Sequence, residues 1–160
     1  MISQNGARVR ELVLADGVRP ADVVCVHREA LHVLRSNIDA AHIDAYSDDA
    51  WSPEVLDSYE RALSLGREEV VSGARSRRSD PGMGIDLDVR DDGHFKVLLD
   101  LAPYTIQAEG WCEGRQVFSA SDSGTSLWFE VTREQEAALL SRLGQLGIPS
   151  GVLTVLAPGR

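Results

Sequence analysis

The sequence predicts an α+β fold: a helical N-terminal half, an antiparallel β-sheet of about five strands, and a C-terminal helix packed on that sheet. Three observations predict it. Apolar residues recur at helical spacing before Ser72, and they alternate with a period of two after Gly84. The stretch between, "SGARSRRSDPGMG", carries neither pattern. With 160 residues, 43% of them apolar, the chain is long enough to bury a core. It reads as a single α+β domain, with residues 1–72 mainly helical, 73–84 a mobile loop, and 85–160 sheet plus helix.

From Ala21 to Asn37, Val23, Val26, Ala30, Val33 and Leu34 share one arc of a helical wheel, with His27 among them, while Arg28, Glu29, His32 and Arg35 take the other. Pro20 falls in the opening turn, where its missing N–H costs least. The second helix begins at Ser52-Pro53-Glu54: a good N-cap, a first-turn proline, and an acid beside the positive end of the helix dipole. Val55, Leu56, Tyr59, Ala62 and Gly66 share its apolar face, and it fades near Ser72-Gly73.

After Gly84, Ile85, Leu87 and Val89 alternate with Asp86, Asp88 and Arg90, and Phe95, Val97, Leu99 and Leu101 form a second apolar row. A three-residue loop, Asp91-Asp92-Gly93, would join the two rows as a hairpin with Asp88 opposite Lys96. Further strands are expected around 104–112, 115–121 and 126–131. Thr132 and Gln135 have the spacing of a capping box for a helix carrying Leu139, Leu140 and Leu143. Gly147 and Pro149 stop that helix, and "VLTVLA" forms a short last strand.

The 16 basic residues are outnumbered by 25 acidic ones, for a formal charge of −9. Such a surface repels phosphate backbones and anionic lipid, so neither nucleic acid nor membrane is expected as a partner. Cys25 and Cys112 are far apart and make no disulfide framework, the chain starts without an apolar leader, and no run has the length of a membrane span. A cytoplasmic location is expected.

Motifs for chemistry are incomplete. Cys25, Glu29 and His32 could share a helix stripe but lack a completing ligand set, and "HREALH" is one residue too long for H-E-x-x-H. "DLDVRDDGH" departs from a calcium loop at Arg90 and at its late glycine, and the serines of "SASDSGTS" lack the frame of a nucleophile elbow. No metal, cofactor or catalytic residue is expected.

Two features point to a surface for binding. The first is the acidic segment holding Asp44, Tyr46, Asp48, Asp49 and Trp51, in which no basic residue occurs between His42 and Arg61. Acid steers a cationic protein and interleaved aromatics anchor it; a solvated loop with Trp51 packed on the core is the competing explanation. The second is a strand face carrying Glu109, Trp111, Phe118, Trp128 and Glu130, either a partner patch or a layer covered by the N-terminal helices. The expected function is a non-catalytic acidic module that neutralises or regulates a basic protein partner, of the inhibitor or toxin-immunity type. The alternative is a small-ligand-binding or enzymatic domain with a pocket lined by Trp111, Trp128 and Tyr104.

Overall fold

The computed structural model describes residues 8–76 and 80–156. In chain order its elements are β1 (Val9–Leu14), α1 (Pro20–Leu34), β2 (Ala40–Ile43), α2 (Leu56–Val71), β3 (Ile85–Leu87), α3 (Asp92–Leu101), β4 (Gln107–Cys112), β5 (Arg115–Ser121), β6 (Ser126–Thr132), α4 (Arg133–Gln145) and β7 (Leu153–Val155). The strands form one sheet in the order β3-β2-β4-β5-β6-β1-β7, with every described neighbouring pair antiparallel. The fold is α+β, but its four helices are interspersed with seven strands. The expected helical N-terminal half is corrected: β1 and β2 stand in it, on either side of α1.

Register explains where the core sits. Leu12, Phe129, Phe118, Gly110, Ala41 and Leu87 follow one another across six strands, and Leu127, Ala120, Ala108, Ile43 and Ile85 form the next row. Because strand side chains alternate, these rows share a face. All but Gly110 are buried members of the core that also takes Val26, Leu31, Leu34, Ala62, Leu98, Leu139 and Leu143 from the four helices. The helices therefore form one layer on one side of the sheet. Phe118 and Phe129 stand opposite each other at its centre, fully buried, and truncating either to alanine should cost about 3–5 kcal/mol.

The expected hairpin of Asp88 against Lys96 is also corrected. Asp91 is an N-cap whose carboxylate accepts the His94 backbone N–H at 3.1 Å, and residues 92–101 are helical. Phe95, Leu98, Leu101 and Ala102 thereby reach the core at helical spacing. Lys96 pairs with Asp100 one turn on, at 2.7 Å, instead of crossing to Asp88. Asp100 also accepts the Ser58 hydroxyl of α2 at 2.6 Å and lies 3.9 Å from Arg28 of α1, so one carboxylate joins three helices. The polar arc of α1 closes the same seam. Arg35 stacks over the Phe95 ring and donates to the Val89 carbonyl at 2.8 Å.

The other starts and stops follow local chemistry. Ser52 and Pro53 open a short 3-10 turn that runs into α2. Gly66 of α2 lies so close to the Pro81 carbonyl that any side chain there would collide with it. The Thr132–Gln135 capping box forms reciprocally at the start of α4. After α2, Arg75 pairs with Glu69 at 2.6 Å and donates to the carbonyls of Asp80, Met83 and Gly84, tying both ends of the expected loop. Residues 77–79 of that loop lie outside the described ones.

His27 is fully buried in α1, its Nδ1–H donating to the Val23 carbonyl at 2.7 Å while Nε2 meets no partner. Burial holds its pKa down at about 4, from an ordinary 6.5. Between those values the unfolded chain binds the proton and the folded one does not, so stability is full above pH 6.5 and drains as pH falls toward 4. The loss should reach about 3 kcal/mol at pH 4. Urea unfolding at stepped pH should show this slope in the native chain and a flatter profile from pH 6.5 to 5 in His27→Leu. Equal slopes would place the proton uptake elsewhere.

Candidate functional site

The side of the sheet away from the helices carries the opposite residues of every strand. Val13, Trp128, Ser119, Glu109, His42 and Asp86 cross it as one row, and Glu11 with Glu130, then Trp111 with Ala40, stand in the next. No described helix packs on this face. Its side chains are mostly polar or aromatic, and the small Ser119 and Ala40 stand opposite Trp128 and Trp111. β5 has one extra residue, Val117, opposite the Gly110–Trp111 step. Such a bulge increases local twist and re-aims side chains.

The indoles are tied to carboxylates. Trp128 Nε1–H donates to Glu11 Oε1 at 3.1 Å, and Trp111 Nε1–H donates to Glu109 Oε2 at 3.1 Å. Glu109 also accepts the Gln107 side-chain amide at 3.0 Å. At the far side of the face, His42 Nδ1 lies 2.6 Å from Asp86 Oδ1. These bonds hold the edges of both indoles, which are half-buried.

Glu11 and Glu130 are directly opposite across β1 and β6. Like charges in that relation are destabilising, where an opposite-charge pair would add roughly 0.2–1 kcal/mol. Glu130 is only 5% exposed, and its Oε2 lies 2.8 Å from Arg115 Nη2. Burial pushes its carboxyl pKa upward; Arg115 opposes that rise, and Glu11 adds to it. Glu11, Glu109, Glu130 and Asp86 thus share a face on which Arg115 supplies the guanidinium. Among the described residues of this face, carboxylates outnumber guanidinium groups.

The structure divides the expected binding residues into two groups. Glu109, Trp111, Trp128 and Glu130 come together on this face; Phe118, expected beside them, instead points into the core. Its neighbour across the sheet is Gly110, whose missing side chain leaves it room. The residues of the acidic segment lie in the connection from β2 to α2 and do different work. Asp44 is nearly buried, and its Oδ1 accepts the Gly84 N–H at 2.6 Å, which is a structural duty. Tyr46 is exposed and donates its hydroxyl to Asp80 at 2.6 Å. Trp51 stacks on Tyr59 with ring centroids 5.1 Å apart and packs against the core. Asp48 and Asp49 are exposed, Asp48 being bonded to Ser123 of the β5–β6 turn.

Elsewhere, Tyr104 lines a groove at the end of the sheet with Leu14, Val18 and Val23; neither tryptophan of the open face reaches it. The helix stripe of Cys25, Glu29 and His32 is dispersed: Cys25 packs on the core, Glu29 pairs with Arg142 of α4, and His32 sits edge-on to Phe95. Glu11, Ser119, His42 and Arg115 are members of the open face that sequence reasoning missed. The run "VRELVL" has no clean alternation to mark β1 as a strand, and only pairing with β6 brings Glu11 against Glu130. Comparison of the chain with protein-family models, with curated proteins and with solved structures finds no match in any of the three.

Replacing Glu11 by Gln keeps an oxygen for the Trp128 N–H and removes the opposed charge. Glu11→Gln should raise stability by about 0.5 kcal/mol and lower the Glu130 pKa. Urea unfolding and carboxyl NMR titration read the two effects. A destabilised variant with an unmoved Glu130 would show that the two carboxylates do not interact.

Proposed function

We propose that the protein is a non-catalytic binding module that takes up a cationic protein partner on the face of its sheet that no described helix covers, and so neutralises or regulates that partner. The observation that carries this reading is the Glu11–Glu130 opposition beside Trp128 and Trp111. A chain selected for stability alone would place a neutral or basic residue at one of these positions. A partner's arginines or lysines would offset the repulsion on binding and meet aromatic faces suited to cations.

The wider charge supports the same reading. With a formal charge of −9, the protein attracts a basic partner from a distance, and the exposed Asp48 and Asp49 add to that field. His42 with Asp86 is an oriented base at the edge of the face, but among the described residues no nucleophile is hydrogen-bonded to it and no cluster suits a metal ion. The described residues contain no helix long and apolar enough to cross a membrane.

The test is kinetic, using a basic partner first captured from native lysate with the full chain. Glu11→Gln with Glu109→Gln should slow association, weaken its salt dependence, and reduce affinity by about 1 kcal/mol. Trp128→Ala should act mainly on dissociation, at about 2 kcal/mol. Unchanged rates and salt slope in both variants would contradict docking on this face.

A further inference from the structure

The groove at the end of the sheet stands apart from the open face and is walled differently. We propose that it binds a small organic cation with an apolar body, an alkyl- or arylalkylamine. It encloses about 500 Å³, within the ordinary range of small-ligand sites. Leu14, Val18, Val23, Val24 and Pro103 supply apolar wall, with the ring of Tyr104 beside them.

The charge of its rim selects the ligand. Asp16 and Asp49 line the groove, neither has an ion pair among the described residues, and no lysine, arginine or histidine lines it. The N-terminal end of α1, which would attract an anion, already has Asp22 in its first turn, paired with Arg19 at 3.3 Å. An ammonium at the rim would meet carboxylate charge with no competing cation among the described residues, while its apolar body lies along the wall.

The groove is also preformed. Asp122, Ser123 and Gly124 take φ of 55, 57 and 94°, three successive left-handed residues. At Gly124 an added Cβ would lie 2.1 Å from the Pro103 carbonyl oxygen, so this turn rests flush against the groove wall and only glycine fits. The Ser123 hydroxyl accepts the Asp48 N–H at 2.9 Å and donates to the Asp48 carboxylate at 3.1 Å. That fixes the segment carrying Asp49, and a fixed rim spares the ligand the cost of ordering it.

The test is an amide NMR titration of the full chain with n-octylammonium, n-octanol and n-octanoate. The amine should shift Val18, Val23, Val24 and Gly124 saturably, and bind about tenfold or more tighter than octanoate. Asp16→Asn with Asp49→Asn should weaken the amine about tenfold and leave octanol unchanged. Val23→Trp fills the groove and should abolish both. Octanoate binding as tightly as the amine, shifts that map outside the groove, or no saturable shift at all would each overturn the proposal.

Discussion

One-sided burial of the sheet is the constraint on which the other features depend. The row from Leu12 through Phe129, Phe118 and Ala41 to Leu87 must face the helix layer, because it holds the largest fully buried side chains, Phe118 and Phe129. Strand periodicity then leaves no freedom on the other side. Glu11, Glu109, Trp111, Trp128 and Glu130 are turned to that side together, and a one-residue slip of β1, β4 or β6 would exchange an acid or indole for a core residue. The core therefore positions the candidate site without touching it.

The two faces follow opposite rules of satisfaction. On the helix side, polar groups other than His27 Nε2 close on one another: Asp100 gathers Ser58, Lys96 and Arg28, and Arg35 reaches both Phe95 and Val89. On the open side, indole N–H groups are satisfied but charge is left in excess, most plainly where Glu11 meets Glu130. Satisfied hydrogen bonds fix geometry, and unbalanced charge leaves something for a ligand to complete. A surface that sacrifices some stability in this way is expected where binding, not folding, sets the requirement.

The elements most legible in the sequence are those whose signals are local. Thr132 with Gln135 and the run of strands from Gln107 onward depend on neighbours in the chain, and they lie where the pattern places them. Ser52-Pro53, by contrast, opens a 3-10 turn ahead of α2 with no side-chain cap from Ser52. Phe95, Val97, Leu99 and Leu101 fit a period of two, yet Phe95, Leu98, Leu101 and Ala102 fit a helix equally well. The Asp91 cap and the core decide between them. β1 and β2 were hidden for another reason: their stabilising partners, β6 and β4, come much later in the chain. The same non-locality concealed half of the candidate site. Glu109, Trp111, Trp128 and Glu130 could be grouped from alternation along consecutive strands, whereas Glu11 and His42 join them only through long-range pairing.

Chemical labelling of carboxylates, read residue by residue by mass spectrometry with and without a bound basic partner, tests the central claim most directly. The account predicts that Glu11 and Glu109 lose reactivity in the complex, while Glu54, Glu60 and Glu134 on the helix side keep theirs. Protection confined to the helix-side acids, with Glu11 and Glu109 labelled as in the free protein, would contradict it.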